Sequence, residues 1–180
     1  MKRLPLLAAA VLLLAPMAAN ASLPVVAATP EQQAAMLKSS DPKLAANKKL
    51  VYDVWREILL GGHVEMADKY LQPDYMQHNP MVETGIGPFK AYFSTRPKVA
   101  TPASIPNLVS VFAEGDMVVM AFVRELPVPK DPAKKYTTTW FDMFRIKDGK
   151  VAEHWDVQTL PLPGASPPPS ISAPPPRPAN

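Results

Sequence analysis

The sequence predicts an α+β protein, with helices early in the chain and an antiparallel sheet late in it. A helix is indicated by the N-cap residue Asp41 and by apolar residues at helical spacing that continue up to Gly61. Strands are indicated by apolar runs around turn residues, most clearly at Asp148-Gly149, where glycine allows the positive φ of a tight hairpin. Helices that precede antiparallel strands group against one sheet face. Residues 42–160 are therefore predicted to form one folded domain.

Three helices and five strands are predicted in this part of the chain. The predicted helices, each bounded by glycine or proline, cover residues 42–60, 64–71 and 88–96. The predicted strands, in chain order, cover residues 75–79, 108–112, 117–123, 136–146 and 151–157. Residues 126–135 contain three prolines, and we expect an irregular connection there.

The two ends of the chain differ from this domain. Residues 1–21 have the pattern of a secretory signal, with two basic residues, a short apolar run and a small-residue cleavage site ending at Ala21. Cleavage there leaves 180 − 21 = 159 residues, so we expect an exported protein, periplasmic or secreted, with no stable membrane span. Residues 22–41 are predicted to be a flexible leader with at most a helical turn. Residues 161–180 contain nine prolines and are predicted to be a disordered tail.

Composition excludes several classes of site and partner. The chain has no cysteine, which removes disulfides, thiolate metal ligands and thiol nucleophiles. Without the signal the basic residues fall from 19 to 17 against 16 acidic ones, a net charge of +1. Because the basic residues do not cluster, nucleic acid is not expected as a partner.

The last two predicted strands place ionisable residues on one sheet face. Side chains alternate along a strand, so Asp142 shares a face with Phe144, and His154 shares a face with Asp156. An apolar pocket favours the neutral form of a carboxyl group, and a second carboxyl nearby separates the two titrations. One group can then donate a proton while its partner accepts one, and we expect the chemistry of the protein here.

The other face of these strands is also apolar. It carries Phe141, Met143, Trp155 and Val157, whereas a half-exposed sheet normally has polar residues there. The predicted helices precede the strands and can cover one face only. We therefore predict a homodimer formed through the other face.

Two motifs in the chain are specific when they occur together. They are Tyr75-x-Gln-His-Asn-Pro and Asp148-Gly-Lys-x-x-Glu-His-Trp-Asp. With residues 47–55, they make the chain resemble the SnoaL-like branch of the nuclear transport factor 2 superfamily. The nearest subgroup is that of predicted SnoaL-like aldol-condensation-catalysing proteins. The resemblance covers about residues 44–160, which is the whole predicted domain.

The resemblance implies a cone-shaped α+β barrel whose curved sheet wraps a pocket roofed by helices. In the polyketide cyclases of this family an acid/base aspartate lies on the last strand, and Asp156 matches it. The cyclase pattern also has a Gln and a His on the preceding strand, where this chain has Trp140 and Asp142. Because of this departure, the cyclase substrate is not carried over.

The predicted catalytic set is Asp156, as the base, with His154, Asp142 and His78. Either histidine could pass protons or hydrogen-bond an oxyanion. The alternative is that an aspartate is structural and bonded to a backbone amide or an indole. No cofactor is expected, and no metal is predicted because a metal-ligand spacing is missing. The residues predicted to line the pocket are Tyr75, Trp140, Phe144, Phe122 and Trp55.

The leading hypothesis is an exported, cofactor-independent acid/base enzyme acting on a small apolar or cyclic carbonyl metabolite. Its reaction would be of the aldol-condensation/cyclase or isomerase type. The alternative is a protein that binds such a compound in the same pocket without turnover. A third hypothesis is an interaction module, in which the second sheet face or the proline-rich tail recruits a partner.

Overall fold

A computed structural model describes residues 26–128 and 131–161. The helices are α1 Pro30–Met36, α2 Pro42–Val54, a π-helix Trp55–Leu60, a 3-10 turn Val64–Met66, α3 Ala67–Tyr70 and α4 Ile86–Phe93. The strands are β1 Leu71–Gln77, β2 Leu108–Glu114, β3 Met117–Val128, β4 Asp131–Lys147 and β5 Lys150–Asp156. The predicted signal, residues 1–21, and all but the first residue of the predicted tail lie outside the described residues. Within the described ranges, no helix has the length and apolar character needed to cross a membrane.

The predicted leader contains a helix that packs on the domain. α1 begins with a capping box, in which the side chains of Thr29 and Gln32 each accept the other's backbone N–H. Gln33 is 2% exposed, and its side-chain oxygen accepts the Tyr52 hydroxyl at 2.7 Å. The flexible leader expected for residues 22–41 therefore needs correction at α1, because buried hydrogen bonds hold this helix on the core.

α2 has the predicted start and an unpredicted end. Asp41 caps the helix by accepting the backbone N–H of Lys43 at 2.7 Å, and Pro42 takes the first helical position. Beyond Val54 the helix widens into the π-helix, which ends before Gly61. Such wide turns are frequent at functional sites, and this one contributes to the cavity described below.

The strands form one curved, unclosed sheet in the order β1-β5-β4-β3-β2. The pairs β2–β3, β3–β4 and β4–β5 are antiparallel, whereas β1 pairs with β5 in parallel. The first strand of the chain therefore lies beside the last, which makes neighbours of Gln77 and His154, 77 positions apart. The predicted α+β class is confirmed, with one parallel pair added to the antiparallel sheet.

β3 and β4 continue further than predicted. Their ladder reaches Val128 and Asp131, so the irregular connection expected at residues 126–135 is wrong over its described part. Proline cannot donate a ladder hydrogen bond, which is why the sequence suggested a break. Pro127 and Pro132 each lie next to a strand end, where a missing N–H costs few ladder bonds.

Two shorter elements begin earlier than predicted. β1 starts at Leu71 rather than Tyr75, because it is an edge strand and an edge strand can accommodate Pro73. α4 starts at Ile86, which places Pro88 in its first turn, where a missing N–H is tolerated.

The core lies between the helices and one face of the sheet. Val118, Met120 and Phe122 alternate along β3 and are each at most 1% exposed, as the strand period of two requires. From the π-helix, the Trp55 ring packs with its centroid 4.5 Å from that of Phe122. We call the sheet face that carries these residues the inner face and the opposite one the outer face.

Candidate active site

The β4–β5 hairpin brings three ionisable residues together on the inner face. Asp142 lies directly opposite Asp156 in the ladder, and His154 lies opposite Phe144. Positive φ angles at residues 148–149 close the tight turn that holds this register. One ligand atom from each of the two aspartates and the histidine lies within 4.8 Å of the other two. We call these three residues the inner cluster.

Asp142 is a buried member of the inner cluster. It is 3% exposed, and its Oδ1 accepts the indole Nε1–H of Trp140 at 2.7 Å. The same oxygen lies 3.5 Å from Nε2 of His154. The guanidinium of Arg124 lies over the Trp140 ring, 4.5 Å from its centroid. A protonated His154 would therefore form an ion pair with a carboxylate that a tryptophan orients.

Asp156 is oriented by two donors. Its Oδ2 accepts from Nδ2 of Asn79 at 2.6 Å, and its Oδ1 accepts the backbone N–H of Gln158 at 2.8 Å. The two aspartates thus show the contacts of the structural alternative, an indole for Asp142 and a backbone amide for Asp156. Each Asp156 oxygen keeps a second lone pair. These bonds fix the direction of the carboxylate and still leave it able to accept from a ligand.

β1 and the residues after it supply a second set of polar groups. Gln77 lies beside His154 in the parallel ladder, and its Oε1 is 2.8 Å from Nδ1 of the histidine. Nε2 of Gln77 donates to the hydroxyl oxygen of Tyr75 at 3.1 Å. Tyr75, Gln77 and Asn79 lie on the same face, because side chains two residues apart along a strand point in the same direction.

Tyr75 is a hydrogen-bond donor rather than an anion at neutral pH. Burial raises the pKa of its hydroxyl well above the ordinary value of 10.0, and the nearby charges of Asp142 and Asp156 raise it further. The side chain is 2% exposed. A hydroxyl that keeps its proton can donate to a ligand oxygen.

A small cavity lies between the inner face and the helices. Tyr75, Gln77 and His154 provide its polar lining, and its apolar lining includes Phe144 of β4 and Phe89 of α4. Its volume is about 30 Å³, enough to hold a water molecule. Pockets for small molecules are about ten times larger or more. This space is smaller than a cyclic metabolite, and its lining comes from both the sheet and the helices.

His78 does not join the inner cluster. Its ring stacks on the ring of Trp155, with centroids 4.5 Å apart and planes inclined by 3°. Its Nε2 lies 3.0 Å from Oε2 of Glu153. Both contacts lie on the outer face, because residue 78 is an odd number of positions from Tyr75 and therefore points to the other face of the sheet. The expected place of His78 beside the cavity is corrected accordingly.

The five predicted pocket residues divide into two groups. Tyr75 and Phe144 line the cavity. Trp55 and Phe122 pack against each other in the core, and Trp140 bonds a carboxylate of the inner cluster. These last three are not part of the cavity lining, because buried aromatic side chains mainly fill the core of a sheet and its helices.

Gln77 and Asn79 are absent from the site predicted from the sequence. That predicted site contains their neighbour His78, from the same motif, instead. The signal that finds them is the alternation of the strand: once Tyr75 is placed at the pocket, residues 77 and 79 follow it and residue 78 does not.

The inner cluster is also a group that could hold a metal ion. Two carboxylates and an imidazole, with ligand atoms within 4.8 Å of one another, are ligand types that zinc and other divalent cations accept. The expectation of a protein that needs no metal stays a prediction, and chelation tests it.

The sequence model of the SnoaL-like domain matches residues 52–154. The chain belongs to the SnoaL-like domain family. The match runs from α2 through most of β5, so it includes Asp142, His154 and all of β1. The resemblance drawn from the two motifs is confirmed, and so is the α+β fold with its curved sheet.

Several solved structures are similar to about two thirds of this chain. TsrD from Streptomyces laurentii is 25% identical, with 66% of this chain and 90% of that chain covered and a TM-score of 0.43. A protein from Acidithiobacillus ferrooxidans, provisionally named a polyketide cyclase, is 21% identical, with 67% and 89% covered and a TM-score of 0.46. An LEH-like epoxide hydrolase of M. tuberculosis is 13% identical, with 64% and 84% covered and a TM-score of 0.44. No curated protein matches the chain.

Proposed function

We propose that this protein is a cofactor-independent acid/base enzyme of the cyclase, aldol-condensation or isomerase type, acting on a small carbonyl compound. The observation that carries the proposal is the inner cluster beside the cavity. His154 lines the cavity, and one carboxylate oxygen each of Asp142 and Asp156 lies within 4.8 Å of a nitrogen of its imidazole. Membership of the SnoaL-like family supports the coarser statement that the domain binds a small molecule.

Proton transfer next to a carbonyl needs a base at the carbon and a donor at the oxygen. Tyr75 lines the cavity as a protonated hydroxyl and is suited to donate to the oxygen. His154 lines the same cavity and is suited to take the proton from carbon, while the electron pair of the broken C–H bond forms the enolate. The imidazolium formed then lies beside the carboxylates of Asp142 and Asp156, which offset its charge.

Two outcomes complete the reaction without a cofactor. The proton returns to a different carbon in an isomerisation, or the enolate carbon attacks a second carbonyl in an aldol closure. Asp156 remains the alternative base within the same site, because each of its oxygens keeps a lone pair.

Deuterium exchange at carbon tests the proposal without knowledge of the natural substrate. The protein is incubated in heavy water with a panel of small apolar and cyclic ketones and aldehydes, and mass spectrometry measures deuterium gained next to the carbonyl. We expect exchange above the uncatalysed rate. Asp156→Asn and His154→Gln should each reduce it by roughly 10²–10⁴-fold, the usual contribution of a general acid or base.

Matched controls separate this role from general damage. His63→Gln and Asp74→Asn change residues outside the cavity lining and the inner cluster, and both variants should exchange like the parent. Exchange that survives both Asp156→Asn and His154→Gln contradicts the proposal. Treatment with EDTA should leave the rate unchanged, and a loss on chelation would replace the cofactor-independent mechanism by a metal-dependent one.

Non-catalytic binding is the second candidate function. It is favoured by a cavity whose polar groups are few and already bonded to one another, as Gln77 is to Tyr75 and to His154. Native mass spectrometry after incubation with cell extract discriminates the two functions. An unchanged compound recovered from the protein supports binding, and a converted one supports catalysis.

We also propose that the protein is exported, on the strength of the signal pattern in residues 1–21. Mass spectrometry of the protein from the periplasm and medium should find a mature chain that begins at Ser22. A full-length chain confined to the cytoplasmic fraction would contradict export.

The outer face supports a homodimer. Phe112, Val119, Met143 and Trp155 are successive neighbours across four strands, and we call them the outer row. Phe112 is 53% exposed, and nearby Phe141 is 45% exposed. Contiguous exposed apolar surface of this kind marks an interaction site. A second copy of the chain would cover the face that the helices leave open.

A further inference from the structure

We infer that Gln77 is a positioning residue that sets both the tautomer of His154 and the direction of the Tyr75 hydroxyl. The inference rests on the proposed function, in which these two side chains meet the substrate. The hydrogen bonds that link these side chains start at a backbone amide, the N–H of Asn79.

The side-chain amide of Gln77 has a single orientation. Its Oε1 accepts the backbone N–H of Asn79 at 3.0 Å. A backbone N–H can only donate, so the atom facing it has to be the carbonyl oxygen of the amide. A rotated amide would turn its NH₂ group against this donor and lose the bond. The backbone after β1 therefore fixes which end of Gln77 faces which neighbour.

This fixed oxygen determines where neutral His154 carries its hydrogen. Nδ1 of His154 lies 2.8 Å from Oε1 of Gln77, and an oxygen of this kind can only accept. Nδ1 therefore carries the hydrogen, and Nε2 of the neutral ring is left with its lone pair. Nε2 is the nitrogen that lies 3.5 Å from Oδ1 of Asp142. Nε2 thus lies in the inner cluster, where a proton taken from substrate would lie beside a carboxylate.

The other end of the same amide orients the Tyr75 hydroxyl. Nε2 of Gln77 donates to the tyrosine oxygen at 3.1 Å, so the hydroxyl hydrogen has to point away from Gln77. Within residues 26–128 and 131–161 no group accepts this hydrogen. It is available to an oxygen of a ligand in the cavity that Tyr75 and His154 both line. One amide therefore sets the hydrogen positions of two side chains that line the same cavity.

Nitrogen NMR of the isotopically labelled protein reads the tautomer without any substrate. Long-range proton–nitrogen correlation spectra show which ring nitrogen carries hydrogen in each of the three histidines. The variants His63→Gln and His78→Gln assign the His154 signals. We expect hydrogen on Nδ1 in the parent. Gln77→Leu should shift His154 to the Nε2–H form or to a mixture, and Gln77→Glu should keep Nδ1–H because its carboxylate still accepts.

Gln72→Leu is the matched control. Gln72 also lies on β1, but its side chain donates to the backbone oxygen of Lys147, away from the cavity lining, so the variant should leave the His154 tautomer unchanged. Hydrogen on Nε2 in the parent, or unaltered Nδ1–H in Gln77→Leu, overturns the inference. If Gln77→Leu does not fold, the parent and Gln77→Glu decide, since both have to show Nδ1–H.

The deuterium-exchange assay gives a second measurement that is independent of the NMR spectra. In the exchange assay, Gln77→Leu should lower the rate at saturating substrate by about 10²-fold, with a smaller change in KM. If Nδ1–H is found but no compound is exchanged by any variant, the proposed enzyme function fails while the structural role of Gln77 stands. If exchange is strong and Gln77→Leu leaves it intact, the enzyme function stands and the positioning role fails.

Discussion

The two faces of the β4–β5 hairpin differ by a single step along the chain. On the inner face, Asp142 and His154 belong to a cluster in which each ionisable side chain is hydrogen-bonded to a neighbour. On the outer face, Phe141 is 45% exposed, and Met143 lies beside Trp155 in an apolar row. Because side chains alternate with a period of two, a register slip of one residue would exchange the two faces. The chemistry of this hairpin therefore depends on register as much as on composition.

The same contrast recurs at the end of β1, between neighbouring residues. Gln77 bonds His154 and Tyr75 on the inner face, whereas the next residue, His78, stacks on Trp155 on the outer face. Histidine is the more reactive residue type, yet His78 points away from the site because it is one position along the chain from Gln77. The residue type alone is a poor guide to which of the two belongs to the cavity.

The largest expected effect comes from a substitution on the inner face, which carries the core. Phe122→Ala on the inner face should lower the free energy of unfolding by about 3–5 kcal/mol, because it leaves a cavity beside Trp55. Phe122 is 1% exposed and its ring is 4.5 Å from that of Trp55, so little relaxation can fill the space. Urea unfolding measures the change.

Phe112→Ala is the matched variant on the outer face. Phe112 is 53% exposed, so at low protein concentration its loss should change the free energy of unfolding by no more than about 0.5 kcal/mol. Equal costs for the two substitutions would contradict the assignment of an inner, core-bearing face and an open outer one.

The fold was largely accessible from local signals. Asp41 caps α2 as predicted, and the turn at residues 148–149 closes the predicted hairpin. The π-helix was not accessible, because no residue type marks the extra residue in its turn. The extension of β3 to Val128 and the start of β4 at Asp131 were hidden by prolines, whose effect depends on whether their N–H would have been used.

The candidate site, like the fold, was predictable where local patterns determine it and not where long-range pairing does. Alternation along one hairpin was enough to predict that Asp142, His154 and Asp156 meet. The partners on β1 depend on a parallel pairing between residues 77 positions apart, which no local pattern reports. Even so, the alternation rule applied to the Tyr75 motif would have favoured Gln77 over His78. The small volume of the cavity, about 30 Å³, was not predictable, because it depends on how tightly the helices pack on the sheet.

A charge placed on the outer face tests the homodimer. Phe141→Arg should convert a dimer to a monomer in sedimentation or light-scattering measurements, because a buried unpaired charge opposes association. The inner face and cavity should be unaffected. Val99→Arg is the control, since Val99 is 47% exposed but lies outside the sheet. A parent protein that is monomeric at all concentrations, or a Phe141→Arg variant that remains dimeric, would contradict the proposed interface.

The smallest expected effect concerns the charged end of the outer face. Arg145 donates to Glu153 and to Asp116, each at 2.9 Å. The pKa of Glu153 is lowered from its ordinary value of 4.5, first by the hydrogen bond from His78 and also by Arg145. The pKa of Asp116 is lowered from 3.8, chiefly by the hydrogen bond from Arg145.

A carboxyl whose pKa is lower in the folded protein stabilises the fold above its unfolded pKa. This contribution is lost as the pH falls through the folded value. Arg145→Met should therefore lower Tm most near pH 6, by no more than about 2 °C because the pairs are only partly buried at the surface, and the difference from the parent should shrink below pH 4. Thermal unfolding across this range measures it, with Lys134→Met, at the far end of β4, as the control. A Tm difference that is the same at pH 6 and pH 3 would show that Arg145 acts by packing on Trp155 rather than through its charge.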